Sequence, residues 1–190
     1  MPDVFVIGGP NGAGKTTAAR GMLPSFVGVS QFVNADEIAR GLSGFAPETV
    51  AQEAGRIMLR RLRVLATQRV DFAFETTLAS RSFAPWLAGL QRAGFDVHIL
   101  YLWLPTPELA VERVARRVQA GGHAVPEEII RRRYGRGREN FLRLYAPLAD
   151  DWEVYDNSGF EPYLVAYGGK GEATTVLETG DWQRINQGNA

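Results

Sequence analysis

The sequence predicts an α/β fold built on a mainly parallel sheet with helices on both faces. Three observations carry this. Short apolar, β-branched runs alternate with segments of helical periodicity along most of the chain, the signature of consecutive βαβ units. The best of these runs are continuously apolar rather than alternating, as strands buried on both faces must be. A glycine-rich stretch directly follows the first run and opens the first helical segment.

In chain order, Val4 to Ile7 reads as the first strand and Thr16 to Met22 as helix. Phe32-Val33 is a short second strand that ends in the polar cluster Asn34-Ala35-Asp36. Pro47 to about Gln68 is helical, with proline at its start and Ile57, Met58, Leu62 and Leu65 at helical spacing. Asp71 to Glu75 is a third strand with polar last residues. Ser82 to Arg92 is an amphipathic helix closed by Gly94. Val97 to Leu104 is the most apolar strand, ended by Pro105 and Pro107; His98 within it reads as a core histidine. Pro107 to Ala120 is helical, and a second helix starts at Pro126, although Gly135 and Gly137 interrupt its pattern. Trp152 to Tyr155 is a fifth strand, and two further apolar runs lie near Tyr163–Tyr167 and Thr174–Leu177. Trp86, Trp103 and Trp152 read as core.

With 190 residues, 45% hydrophobic and 22% charged, the chain is expected to form one domain over residues 1–190. There is no cysteine, which excludes disulfides and thiolate metal sites. Neither a basic leader nor a stretch of the ~20 apolar residues that span a bilayer is seen, so a soluble, cytoplasmic protein without membrane contact is expected. Net charge is zero, yet the basic residues are unevenly placed. Only Lys15 and Lys170 are lysines, and eight arginines fall between Arg113 and Arg138 against Glu127 and Glu128 alone.

Gly9-Pro10-Asn11-Gly12-Ala13-Gly14-Lys15-Thr16 fits G-x-x-x-x-G-K-[ST] in full, between a strand and a helix as that motif requires. Glycines let main-chain N–H groups surround phosphate oxygens, and the helix N-terminus adds partial positive charge. Lys15 is expected on the β- and γ-phosphates and the Thr16 hydroxyl on a metal ion, making ATP and Mg²⁺ the expected ligands.

Open parallel sheets bind ligands beyond the C-terminal ends of their strands. Asp36 follows the second strand and Glu75 ends the third, continuing into Thr76, Thr77, Ser80 and Arg81, a set suited to a hydroxylated substrate. Asp36 is the candidate base for an attacking hydroxyl; its competing reading is a helix N-cap before Ile38. Glu75 reads as substrate binder or as a carboxylate behind the metal's own ligands, or else as a solvated strand end. No apolar strand ends in the aspartate of a Walker B pattern.

Residues 113–138 form the candidate arginine lid, since phosphoryl transfer develops charge that guanidinium groups neutralise. At about 100° per residue, Ala110, Val111, Val114 and Val118 share an apolar arc. Arg117 falls near its border, Arg113 further round and Arg116 opposite, toward water. Periodicity does not choose among Arg131, Arg132, Arg133, Arg136 and Arg138. A salt-bridged surface or a nucleic-acid strip competes with the lid, and the lid is favoured over nucleic-acid contact. His123, and the turn Asp156-Asn157-Ser158-Gly159 where an adenine could sit, are weaker candidates.

Taken together, Gly8 to Thr17, Asn34-Ala35-Asp36-Glu37, Phe74-Glu75-Thr76-Thr77, Gly121 to Pro126 and Tyr155-Asp156-Asn157-Ser158 resemble the zeta-toxin-like P-loop kinases, in particular their short bacterial branch labelled predicted ABC-type ATPases. The match runs to about Ser158; residues 160–190 form an unmatched extension. The resemblance implies a five-stranded parallel sheet and ATP-dependent phosphorylation of a UDP-amino sugar such as UDP-N-acetylglucosamine. It implies Asp36 as base, Glu75 and Thr76 on the sugar nucleotide, and lid arginines among Arg113, Arg117, Arg132 and Arg133 on the transferring group. It also brings an antitoxin protein as a possible partner. The rival expectations are a kinase for another nucleotide, dinucleotide or sugar hydroxyl, and a non-transferring NTP switch.

Overall fold

The computed structural model describes residues 1–22, 28–122 and 124–188. Seven strands form one sheet: β1 (Asp3–Gly8), β2 (Phe32–Val33), β3 (Phe72–Thr76), β4 (Asp96–Trp103), β5 (Asp151–Asp156), β6 (Tyr163–Gly169) and β7 (Thr175–Val176). The described helices are α1 (Lys15–Met22), α2 (Ala35–Leu42), α3 (Ala51–Gln68), α4 (Phe83–Arg92), α5 (Pro107–Gln119), α6 (Glu127–Asn140) and α7 (Thr179–Gln187). A 3₁₀ turn, Pro47–Val50, leads into α3, and a π-helical turn, Phe141–Tyr145, extends α6.

Strand order is β2-β3-β1-β4-β5-β6-β7. The first five are parallel, and β6 and β7 are antiparallel. The predicted α/β class holds, with five parallel strands, but the sheet is wider than the five strands expected. Only residues 157–162 separate β5 from β6, too few for the crossover a parallel neighbour needs, so the chain turns back as a hairpin. The extension then returns through α7, where Ile185 is fully buried and the Trp182 ring stacks on Trp152 at 5.6 Å.

Alternation along the buried strands sorts the core into two faces. Val4, Val6, Phe72, Phe74, Val97, Ile99 and Tyr101 pack with Met58, Leu62 and Leu65 of α3 and Leu87 and Leu90 of α4. Ile7 and Ala73 meet Ala19 of α1 on the other face, and Leu102 and Leu104 meet Ala110 and Val114 of α5. At about 25 cal/mol per Å² of apolar surface, burial on both faces is the main stabilising contribution of these strands. Trp103 and Trp152 are buried and Trp86 packs against the same core, as expected.

Two helices depart from the sequence expectation. Helix α2, only eight residues long, was not among those read from periodicity. Helix α6 runs unbroken through both glycines. A glycine costs about 1 kcal/mol relative to alanine inside a helix, and at Gly137 the reason for it is spatial: a Cβ there would lie 2.3 Å from the Thr77 carbonyl oxygen. Its absence lets α6 rest on the loop after β3. Asn140 Nδ2 donates to the Leu78 carbonyl at 2.8 Å, and the Tyr145 hydroxyl donates to that of Ser80. Tyr134 donates to the Leu104 carbonyl at 2.7 Å.

Near the N-terminal ends of the parallel strands, His98 of β4 lies between Asp151 (Nδ1 to Oδ2, 2.6 Å) and Asp3 (Nε2 to Oδ1, 3.3 Å), its ring stacked on Phe5. Partial burial alone would lower its pKa, but the hydrogen bonds and charges of Asp151 and Asp3 outweigh it and raise the pKa above the ordinary 6.5. A raised folded-state value means the stabilising contribution is complete below pH ~6.5 and lost as pH rises through that folded value. The stability difference between the parent and His98→Phe, which keeps the stack but cannot titrate, is therefore expected to be larger at pH 5.5 than at pH 8.5 in urea unfolding. An identical difference at both pH values would remove the ion pairs from the account.

Candidate functional site

Register alone brings the site together. Gly8, the last residue of β1, pairs with Thr76 of β3, and Val33 of β2 pairs with Phe74. The loop after β1, the residue after β2 and the end of β3 must therefore converge at one edge of the sheet. That loop turns sharply into α1, with positive φ at Gly9, Gly12 and Gly14. At Gly14 (φ 80°) a Cβ would meet Asn157 Nδ2 at 2.7 Å, because that amide crosses from the end of β5 to donate to the Ala13 carbonyl. The strand after next thus holds the back of the loop.

Lys15 is buried and folds back, donating to the Pro10 carbonyl at 2.8 Å and lying 3.6 Å from Glu75 Oε1. The Thr16 hydroxyl donates to Glu75 Oε2 at 2.6 Å, and Asn34 Nδ2 donates to the same oxygen at 2.7 Å. Burial pulls the Lys15 pKa down, opposed by the charges of Glu75 and Asp36. Glu75 is not a solvated strand end. It is the carboxylate standing beside the loop's hydroxyl, in the place where the sequence lacks a Walker B aspartate. Thr16 and Glu75 make an all-oxygen pair suited to a hard cation, although among the described residues no group of three His, Cys, Asp or Glu side chains converges to hold a metal by itself.

The cap of α2 is Asn34, not Asp36: Asn34 Oδ1 accepts from the Asp36 and Glu37 main-chain N–H groups at 2.7 and 3.4 Å. This leaves the Asp36 carboxylate for other work. It lines a cavity of about 440 Å³ whose floor is Asn11, Gly12 and Lys15. Glu75, Thr76, Thr77 and Ser80 form one wall, and Arg117, Arg132, Arg133 and Arg136 another. Burial draws the Arg133 pKa down, with Asp36 acting to raise it and Arg132 to lower it further.

Not every candidate reaches this cavity. Arg113 donates to the Asn157 and Ser158 carbonyls, each at 2.6 Å, so it braces the turn after β5 instead of covering phosphate. That turn, closed by Ser158 N donating to Asp156 Oδ1, serves as a buttress for the loop. Arg81 lines an adjoining depression, and Thr17 is exposed on α1. Arg116 faces water, as expected, and there pairs with Glu112. Arg131 is engaged by Glu108 and Glu127 at the surface, and Arg138 holds the Ile185 carbonyl of α7. His123 lies outside the described residues. Reasoning from sequence missed Asn34 as a site residue, although a capping side chain two positions before Asp36 was its signal. It also left Arg136 unassigned, one helical turn after Arg132.

Comparison with known proteins agrees with this fold. A family model described as an AAA domain matches residues 4–139. A Haemophilus influenzae protein described as uncharacterized is 30% identical over 128 residues, 66% of this chain and 88% of that protein. Among solved structures, the AvrRxo1-ORF1:-ORF2 complex with ATP superposes with a TM-score of 0.77 at 18% identity over 97% of this chain and 63% of that one, so the chain spans less than two thirds of that neighbour. The PezAT chromosomal toxin-antitoxin system of Streptococcus pneumoniae gives 0.64 at 17% identity, covering 100% and 80%, and a gluconokinase from Sinorhizobium meliloti 1021 gives 0.53 at 15%, covering 83% and 84%. At these identities the likeness is one of fold, and that fold is the α/β P-loop kinase type.

Asn34 serves both the helix cap and the Glu75 carboxylate. Asn34→Ala is expected to lower stability by about 1–2 kcal/mol, as loss of a buried cap does. Asn34→Asp, an equally good cap elsewhere, is expected not to restore it, because a second carboxylate would face Glu75. A urea midpoint for the Asp variant equal to that of the parent would show that the Glu75 contact carries no weight.

Proposed function

This chain belongs to the AAA domain family, and from that premise we propose that it is an ATP-dependent kinase transferring the γ-phosphate to the hydroxyl of a small anionic acceptor. The observation that carries this reading is the shared cavity: the phosphate-loop lysine, the Asp36 carboxylate and four arginines face one space of about 440 Å³.

In this reading the main-chain N–H groups of Gly12 to Thr16 receive the triphosphate, and Lys15 exchanges the Pro10 carbonyl and Glu75 for β- and γ-phosphate oxygens. The Thr16 hydroxyl and Glu75 carboxylate would hold Mg²⁺, a fit supported by their 2.6 Å hydrogen bond and the fixed orientation Asn34 imposes. When bound, that ion supplies positive charge to the phosphate oxygens. Asp36 accepts the acceptor's proton as the new O–P bond forms and the bond from the γ-phosphorus to the β–γ bridging oxygen breaks, leaving ADP. Arg117, Arg132 and Arg133, with Arg136, neutralise charge on the transferring group.

The hydroxyls of Thr76, Thr77 and Ser80 beside four guanidinium groups favour an acceptor both hydroxylated and negatively charged. A UDP-amino sugar such as UDP-N-acetylglucosamine meets both conditions and is our leading assignment. The neighbours described as a two-protein complex and as a toxin-antitoxin system support an antitoxin-like protein as the partner. No described helix is long and apolar enough to cross a membrane, and the absence of cysteine accords with a cytoplasmic setting.

Incubation with γ-labelled ATP and separate acceptor pools tests the reading, label in UDP-N-acetylglucosamine being the expected result and label confined to another acceptor overturning that assignment. Lys15→Ala is expected to abolish turnover. Asp36→Asn is expected to retain ATP binding and lose transfer by ~10²–10⁴-fold, the range for removal of a general base; unchanged transfer would take Asp36 out of that role.

A further inference from the structure

Beside the main cavity lies a second one of about 310 Å³, lined by Arg81, Arg136, Glu139, Asn140 and Arg143 together with Ala79 and Leu144. The two share Ala79 and Arg136, so they are neighbouring parts of one depression running from the phosphate loop along α6. Of its three arginines, only Arg143 has an ion-pair partner among the described residues, Glu139 at 3.1 Å. Arg81 and Arg136, both exposed to solvent, line the depression, and among the described residues no carboxylate lies within ion-pair distance of either. Bringing unpaired guanidinium groups together is unfavourable unless solvent or an anion answers them.

The backbone beneath is also held rigid. Arg81 follows Ser80, whose carbonyl takes the Tyr145 hydroxyl, and Asn140 is bonded to the Leu78 carbonyl. The floor is therefore fixed on both sides, from the loop after β3 and from α6, and the arginines project from anchored main chain.

We propose that this second cavity is a subsite for a phosphate or diphosphate group of the acceptor, remote from the hydroxyl that reacts, with Arg81, Arg136 and Arg143 as its cationic contacts. The proposal rests on the kinase reading above and deepens it: the acceptor is an elongated phosphate ester, its hydroxyl end at Asp36 and its anionic end past Ser80. Free sugars and other uncharged polyols reach only the first cavity. Arg136, at the junction, serves both ends. Arg81 and Arg143 lie outside the transfer machinery and act on affinity for the acceptor alone.

The test is a calorimetric titration of inorganic pyrophosphate into the full chain, with and without a saturating non-hydrolysable ATP analogue and Mg²⁺, for the parent and for Arg81→Gln, Arg143→Gln and their combination. Both arginines are on the surface, and circular dichroism checks that each variant is folded. With the analogue filling the phosphate loop, one pyrophosphate site is expected, weakened ~10–100-fold in the double variant, as loss of charge-assisted hydrogen bonds predicts. Affinity for the analogue itself is expected to stay unchanged. Pyrophosphate binding equal in parent and double variant, or absent once the analogue is bound, would overturn the subsite and leave the kinase reading standing. Failure of the analogue to bind would sink the kinase reading alone, because the comparison without analogue still measures whether Arg81 and Arg143 hold an anion.

Discussion

The structure turns on one carboxylate. Glu75 receives the Thr16 hydroxyl and the Asn34 amide on one oxygen and lies against the Lys15 ammonium with the other. Three structural units, the phosphate loop, the start of α2 and the end of β3, meet at that group. A buried lysine on its own would be strongly unfavourable, and a carboxylate with several hydrogen bonds makes it tolerable. The same arrangement opposes the downward pull of burial on the Lys15 pKa and leaves its side chain on the cavity lining. Parallel register of β1 and β3 brings the Glu75 carboxylate within hydrogen-bond distance of the Thr16 hydroxyl.

Three of the cavity's arginines stand on a helix docked against the loop after β3. Helix α6 lies on the loop after β3 through the bare backbone of Gly137, the Asn140 amide and the Tyr145 hydroxyl, all directed at main-chain carbonyls between Thr77 and Ser80. Arg132, Arg133 and Arg136 therefore belong to a wall whose position is set by the fold. Groups held in place before charge develops need little reorganisation when it does, which is the condition for effective electrostatic stabilisation. Arg113 shows the complementary use of the same residue type. Its fork matches two adjacent carbonyls and fixes the turn that in turn holds the phosphate loop through Asn157. Arginine in this protein is divided between scaffold and site, and the division follows which main-chain carbonyls lie within reach.

The core strands were legible because burial on both faces demands continuous apolar runs, and Val4 to Ile7, Phe72 to Phe74 and Val97 to Leu104 have no other good explanation. The fate of Asp36 was less so. A short polar residue after a strand reads as a cap, and only the backbone reveals that Asn34, two residues earlier, already fills that role. Gly137 misled for a related reason. Within a helix glycine reads as an interruption, whereas here it marks the point where another backbone comes too close for any side chain. The antiparallel tail was visible as two apolar runs without a direction, since strand direction depends on how short the connection at 157–162 is in space.

By itself the sequence determined what is local: the phosphate loop with Lys15 and Thr16, the alternating α/β order, and the water-facing position of Arg116. Those features depend on residues a few positions apart, whose geometry follows from helix and strand periods. Tertiary structure decided everything that joins distant segments. It placed Glu75 beside Thr16, assigned Arg113 to carbonyls and Arg136 to the cavity, and set Arg81 in the adjoining depression. The physical reason is that a guanidinium or carboxylate takes its role from partners brought within about 3 Å by sheet register and helix docking, and those partners lie tens of residues away along the chain.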